Sequence, residues 1–327
     1  GEPIALVKNY DEVREALFVA RSCSEKLSEG ASPKEMAVLY RANFQSRVLE
    51  EAMLRVGVPY QVLGVKFFER KEVKDVVSYL RAALNRTSLV DIKRALEMPK
   101  RGIGKVTLLK YISGGANELP RAMQTKLLAF ENLLDSIALV ATTKKLSETI
   151  SYIITESGIE KHLLGGTDDD RERLENIREL VSLATKYDDF PPEEALEKFF
   201  EESTLVSDQD TASEDGGVKL MTVHASKGLE FETVYIVGLE HDLFPHKRIG
   251  SNKQTKEESE EERRLFYVAL TRAKQKLYLS YVDVRTIYGS RQLQIPSPFI
   301  EDIGAVETEI LESAGRDDFD SSVVVYL

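Results

Sequence analysis

Residues 222–231 (TVHASKGLEF) bring together a histidine, a lysine, a glycine and a glutamate between two apolar runs that predict buried strands, 218–223 and 233–239. In an open α/β sheet, ligands lie beyond the carboxyl ends of the strands, where His224 and Lys227 would project. Gly228 permits a tight turn, and Glu230 can accept hydrogen bonds from sugar hydroxyls. By spacing alone, a plain strand–loop–strand connection stays the simpler interpretation.

A second segment, residues 260–273 (EEERRLFYVALTRA), predicts a helix that carries an arginine on its apolar face. Leu265, Val268, Ala269 and Arg272 fall at i, i+3, i+4 and i+7. Because a buried unpaired charge is costly, an anion should meet this guanidinium. A phosphate would suit its planar fork, and a carboxylate or the helix C-terminus would serve equally.

A third pair, Tyr40 and Arg41, ends the apolar run 36–40 (MAVLY), which predicts a buried strand. The aromatic ring could stack on a base and the arginine could hold a phosphate. An ordinary strand terminus without a ligand is the alternative.

Elements of two kinds must position these residues. Strands at 36–40, 59–63 and 276–282 alternate with helices at 43–56, 71–85 and 258–274, an order typical of α/β folds. Residues 121–205 instead predict helix after helix, and 207–217 have the composition of a linker. The sequence therefore predicts an α/β core with an all-helical insertion.

Composition and charge narrow the class of protein. The 327 residues, 42% hydrophobic and 30% charged, predict a soluble protein of two or three domains. A single cysteine excludes an intrachain disulfide, and the scattered histidines predict no metal site. No apolar run could cross a bilayer and no signal peptide is evident, so we expect a cytoplasmic location. The net charge is −11, but residues 66–110 carry more basic than acidic side chains. These basic side chains are compatible with phosphate contacts or with solvated helix faces.

Six segments, taken in order, closely resemble the C-terminal half of superfamily 1 DNA helicases of the UvrD/PcrA/Rep type. They are VLYRANFQSRVLEEAML, FFERKEVKD, PKRGIG, VKLMTVHASKGLEF, FPH and EEERRLFYVALTRA. The resemblance implies a RecA-like parallel-sheet core, called 2A, with an inserted helical subdomain, called 2B. It divides the chain into 1–120 (2A, first part), 121–209 (2B), 210–304 (2A, second part) and 305–327 (acidic tail).

The same resemblance implies roles for single residues. Arg272 matches the arginine finger, Arg41 a γ-phosphate ligand and Tyr40 a residue that packs on adenine, while Glu230, which follows Gly228, matches a residue near the ribose. On the single-stranded DNA track lie the positions matched by Thr222, His224, His246 and Tyr288. Residues 155–159 (TESGI) weakly resemble a 2B loop that approaches duplex phosphates.

Two nucleotide-binding motifs are missing from this sequence. There is no G-x-x-x-x-G-K-[ST] phosphate loop, since 102–106 (GIGKV) lacks the first glycine and the hydroxyl residue, and no Asp-Glu pair follows a strand. The resemblance implies half of an ATP-dependent 3′→5′ helicase of DNA repair or replication restart, and the missing motifs predict that this half is inactive alone. The magnesium ligands for ATP would lie on the 1A/1B half, and single-stranded DNA and ss/ds junctions would be the substrates. The matching half of a helicase–nuclease, or a non-catalytic DNA-binding or interaction module, is the alternative.

Overall fold

The computed structural model describes residues 1–208, 216–247, 255–303, 308–312 and 325–326. The chain divides into two compact units. The first consists of Gly1–Phe67 and Asp208–Leu327, and the second of Phe68–Ser207. The first unit holds the sheet, and the second is helical.

The strands of the first unit form one sheet. In chain order they are β1 (Ile4–Asp11), β2 (Met36–Tyr40), β3 (Tyr60–Val62), β4 (Val218–Thr222), β5 (Phe231–Ile236), β6 (Ala273–Ile287), β7 (Ser290–Leu293), β8 (Thr308–Glu312) and β9 (Val325–Tyr326). They pair in the order β3-β4-β2-β5-β6-β1-β8-β9, and β7 pairs with β6. All pairs from β3 to β8 are parallel, whereas β7 and β9 run antiparallel to their neighbours. The parallel strands thus share one amino end and one carboxyl end of the sheet.

The helices belong to both units. In chain order they are α1 (Glu12–Ser28), α2 (Ser46–Val56), α3 (Lys71–Leu84), α4 (Leu89–Glu97), α5 (Lys105–Ile112), α6 (Arg121–Thr143), α7 (Leu146–Glu156), α8 (Ile159–Leu164), α9 (Asp168–Ala184), α10 (Pro192–Asp208), α11 (Lys256–Leu270) and α12 (Pro298–Glu301). On one face of the sheet, α1 and α2 share a core with Val38 and Tyr235. On the other face, Leu265 and Phe266 of α11 pack with Phe299 of α12. Both faces are therefore covered, as a parallel sheet requires.

The helical unit begins at Phe68, which corrects the boundary predicted at 120/121. Its helix α3 packs against α4, α6, α7 and α9. Val73, Val76 and Leu80 are fully buried in this packing. The prediction was wrong because an amphipathic helix has the same sequence pattern whether it packs on a sheet or on other helices.

The elements around the candidate site follow the predictions with one consequential difference. The strand at 36–40 is confirmed, and α2 ends at Gly57, whose φ of 78° is left-handed. However, α11 ends at Leu270, so Arg272 lies beyond the helix and not on its apolar face.

The remaining predictions concern the linker and the polar loop, the acidic tail, and membrane-spanning helices. The predicted linker at 207–217 and the polar loop at 245–257 lie largely outside the described residues. From the predicted acidic tail, β8 and β9 add to the sheet beside β1. Among the described residues, no helix is long and apolar enough to cross a membrane.

Candidate functional site

The loop 223–230 connects the carboxyl end of β4 to the amino end of β5 through successive turns. The backbone N–H of Ser226 donates to the carbonyl of Val223 at 3.2 Å, and that of Leu229 to Ser226 at 3.0 Å. Gly228 has a φ of +86°, which explains the glycine, since a side chain is strained there. The loop thus leads from the carboxyl end to the amino end of the sheet.

Arg272 lies at the amino end, between α11 and β6, and is bonded to this loop. Its Nη1 donates to the carbonyl of Leu229 at 2.9 Å, and its Nε donates to the carbonyl of Val268 in the last turn of α11 at 2.9 Å. Its Nη2 donates to Oγ1 of Thr271. The guanidinium therefore bridges the helix C-terminus and the loop, so the helix contact proposed as an alternative to an anion is present.

The charge of Arg272 nevertheless has no carboxylate partner among the described residues. Three of its five N–H groups donate to neutral oxygens, which leaves two for an anion. Glu230 is exposed directly before β5, and the N–H of Phe231 donates to the carbonyl of Arg272. The structure therefore places Gly228, Glu230 and Arg272 together at the amino end, where they can bind a polyhydroxylated, anionic ligand.

The predicted DNA residues lie at the opposite, carboxyl end of the sheet. Thr222 is the last residue of β4 and pairs with Tyr40 of β2. His224 follows in the loop and is exposed. Tyr288 occupies the two-residue turn between β6 and β7, with a left-handed φ of 52°. His246 ends the turn that follows β5.

Arg41 also lies at the carboxyl end and is held by Glu262 of α11. Its Nε donates to both carboxylate oxygens, at 3.0 and 2.9 Å, and its Nη2 donates to Oε1 at 2.6 Å. The Oε2 atom also accepts from the backbone N–H of His246 at 3.0 Å. Burial opposes ionisation of Glu262, but the hydrogen bonds and charge of Arg41 outweigh it and lower the pKa of this carboxyl. The glutamate is therefore an anion shared by two segments of the carboxyl end.

The two arginines expected at one γ-phosphate have different hydrogen-bond partners in this structure. Leu39 of β2 is level with Ile236 of β5, which is level with Leu279 of β6. Arg41 lies beyond this level, whereas Arg272 precedes β6. At about 3.3 Å per strand residue, their backbones are separated by roughly 25–30 Å along the strands, and both side chains extend toward α11 between them. In this structure Arg41 is bonded to Glu262 and Arg272 to neutral oxygens, so a contact of both with one γ-phosphate stays a prediction.

Tyr40 does not lie where an adenine could stack on it. Its side chain is 1% exposed and packs in the core between the sheet and the helices α1 and α2. A ring buried on both faces has no surface for a base, so this structure does not support the expected adenine contact. The sequence reasoning read an aromatic at a strand end as a ligand contact, although the alternation of side chains along β2 directs it into the core.

Two residues of the carboxyl end were missed by the sequence reasoning. Gln45 accepts from the backbone N–H groups of Arg41 and Ala42 with its Oε1, at 3.1 and 2.8 Å. Glu262 shares the buried face of α11 with Leu265 and Ala269. The spacing i, i+3, i+7 would have identified Glu262 as the charged residue on the apolar stripe.

A second buried ion network fixes the strand that leads to Tyr288. Arg285 of β6 donates to Glu240 at 2.7 Å and to Glu15 of α1 at 2.8 Å. The backbone N–H of Val282 also donates to Glu240. All three side chains are buried, so each carboxyl needs its bond to the one guanidinium. One positive charge cannot neutralise two carboxylates, and burial raises the pKa of Glu240 to about 7. The network ties α1, β6 and the start of the turn that contains His246.

In the helical unit, the two segments with family motifs meet. Nη2 of Arg101, in the PKRGIG segment, donates to the carbonyl of Ser157 at 3.0 Å and to Tyr79 Oη at 2.7 Å. Ser157 belongs to the loop 155–159. On this unit, a cavity of about 500 Å³ is lined by charged side chains, among them Lys71, Lys93 and Lys100.

Metal-ligating residues are not grouped in the described part of the chain. No three His, Cys, Asp or Glu side chains there are placed so that they could hold a metal ion. The donor at the amino end of the sheet is instead the Arg272 guanidinium, which suits an anion.

Comparison of the sequence with known proteins identifies a family and several relatives. The family model for the UvrD-like helicase C-terminal domain matches residues 1–119 and 108–284. A protein named ATP-dependent DNA helicase PcrA from Staphylococcus aureus is 35% identical over 322 residues, which cover 93% of this chain and 44% of the relative. The PcrA protein of Staphylococcus epidermidis is 34% identical over the same length. The chain thus spans less than half the length of these curated relatives.

Proposed function

Because this chain belongs to the family of UvrD-like helicase C-terminal domains, we propose that it is the C-terminal half of an ATP-dependent DNA helicase or translocase. In this proposal, the amino end of its sheet completes a nucleotide site and the carboxyl end binds single-stranded DNA. Its partners are the N-terminal half of the same enzyme, single-stranded DNA and ss/ds junctions. A bacterial enzyme that acts on DNA works in the cytoplasm.

The observation that carries the proposal is the environment of Arg272. A partly buried guanidinium with only neutral partners among the described residues, beside the exposed Glu230, is suited to an anion that comes from outside the described chain. An arginine that reaches the transferring phosphoryl group supplies charge stabilisation in phosphoryl transfer. Arg272 is thus our candidate catalytic residue, and Glu230 and Gly228 contact or shape the rest of the nucleotide site.

The residues present fit ATP in part. Arg272 would bind the γ-phosphate and Glu230 the ribose hydroxyls, while the phosphate cradle and the Mg²⁺ ligands would come from the N-terminal half. When bound, Mg²⁺ neutralises charge on the phosphates. Arg41 stays a predicted γ-phosphate ligand, although it pairs with Glu262 in this structure. We assign no adenine contact to Tyr40, because its ring is buried.

The test uses this chain alone and joined to its N-terminal half. Alone it should hydrolyse no ATP above background, with or without DNA, because it lacks a phosphate loop. Joined to the other half, it should hydrolyse ATP faster when single-stranded DNA is added. A DNA-stimulated ATPase of the isolated chain that disappears in Arg272→Ala would refute the division of the active site.

A second test concerns the carboxyl end. We expect the chain to bind single-stranded oligonucleotides weakly and in a salt-dependent way, since half of the track is present and phosphate contacts release counterions. Fluorescence anisotropy at low and high salt measures this binding. An affinity that does not change with salt concentration, or a strong preference for blunt duplex DNA, would contradict a binding site for single-stranded DNA at the carboxyl end.

A further inference from the structure

Two segments of the carboxyl end depend on one side chain from a third. Arg41 follows β2, His246 follows β5, and Glu262 lies in the middle of α11. The Glu262 carboxylate accepts three bonds from the Arg41 guanidinium and one from the His246 backbone N–H. Both of its oxygens are therefore occupied, and neither segment can move without breaking a charge-assisted bond.

We propose that Glu262 is a positioning residue for single-stranded DNA, and that it fixes the Arg41 and His246 segments relative to each other. This inference rests on the proposed function, because it presumes that the carboxyl end binds DNA. Glu262 itself is shielded from a ligand, since its side chain is 9% exposed and that of Arg41 is 12% exposed. The pair thus acts through the backbone that it holds.

The alternative is a buried ion pair that only stabilises the fold. The two roles differ in what the backbone N–H of His246 requires. A positioning role needs a carboxylate at residue 262, because this side chain must accept from the Arg41 guanidinium and from the His246 N–H at the same time. A merely stabilising pair needs opposite charges at 41 and 262, in either order.

The first variant is Glu262→Gln, measured against Glu261→Gln. An amide has one acceptor oxygen, so its NH2 group must face either Arg41 or the His246 N–H. Glu261 lies on the same helix, but its side chain is 69% exposed and pairs with Arg264. Both substitutions remove one negative charge, which by itself favours binding to a polyanion.

Binding of a labelled single-stranded oligonucleotide to the full chain should therefore change in opposite directions. Glu262→Gln should weaken binding by about tenfold, the loss of one charge-assisted hydrogen bond. Glu261→Gln should leave binding unchanged or slightly tighter. Equal behaviour of the two variants, at a temperature where both are folded, would overturn the proposal.

The second variant is the exchange Arg41→Glu with Glu262→Arg. It restores opposite charges, but a guanidinium cannot accept from the His246 N–H. We expect thermal stability to recover relative to Arg41→Glu alone while oligonucleotide affinity stays low. Recovery of both would show a stabilising pair only and overturn the positioning role. If the wild-type chain binds no single-stranded DNA at any salt concentration, the proposed function fails first, which distinguishes the two failures.

Discussion

The backbones of Arg41 and Arg272 lie at opposite ends of one parallel sheet, roughly 25–30 Å apart along the strands. The helix α11 contacts both regions, through Glu262 near its middle and through the Val268 carbonyl in its last turn. One helix therefore connects the candidate DNA face to the candidate nucleotide site. In this structure the two arginines contact different parts of this helix and have different partners.

Removal of the Arg41 side chain should destabilise the fold. Arg41→Ala leaves the Glu262 carboxylate buried without its guanidinium, so the free energy of unfolding should fall by about 3 kcal/mol. Urea denaturation measures this change. Arg264→Ala is the matched control, since its ion pair with Glu261 is exposed and should contribute less than about 1 kcal/mol. Equal effects of the two substitutions would contradict the burial of the Arg41–Glu262 pair.

Replacement of Tyr288 should weaken DNA binding. The ring stands in the turn of the β6–β7 hairpin, where stacking on a base is tolerant of sequence. Tyr288→Ala should lower oligonucleotide affinity roughly tenfold, in line with the loss of one stacked base. Leu293→Ala, on the same hairpin and 85% exposed, should change affinity little. An equal loss in both variants would point to a general disturbance of the hairpin.

A pH dependence should arise from Asp75 in the helical unit. Burial raises the pKa of this carboxyl to about 6, and Arg94 at 3.3 Å offsets only part of that effect. The folded chain thus binds this proton more tightly than the unfolded chain, so the stabilisation is present at low pH and is lost as the pH rises through 6. Between about pH 4 and pH 7, wild type should lose about 2–3 kcal/mol relative to Asp75→Asn.

Urea unfolding of both proteins at each pH isolates the contribution of Asp75, because other groups cancel in the difference. A constant difference in unfolding free energy across this range would contradict a raised pKa. A difference of the opposite sign would show that the Arg94 charge outweighs burial.

Much of the fold could be predicted from local patterns. The apolar run at 36–40 and the stripe of Leu49, Ala52 and Met53 are buried as expected, because periodicity reports which side chains face a core. The boundary at 67/68 could not be predicted, since the apolar face of α3 does not reveal its packing partner.

The site was predictable in its residue types more than in its geometry. Placement of Glu230 and Arg272 together depends on the pairing of β5 with β6, which is a long-range property. The pairing of Arg41 with Glu262 could not be predicted, because the two residues are 221 positions apart in sequence. The end of α11 at Leu270 likewise moved Arg272 from the helix face to the following turn.

The most direct test of this account is the effect of Arg272→Ala in the enzyme that contains both halves. The ATPase kcat should fall by roughly 10³-fold or more, as for other arginine fingers, and Arg272→Lys should not rescue it. Affinity for single-stranded DNA without nucleotide should barely change, because the DNA residues lie at the other end of the sheet. Thermal melting and ATPase should be measured on the same preparation. A variant that melts many degrees lower yet keeps a near-normal kcat per folded molecule would contradict the account.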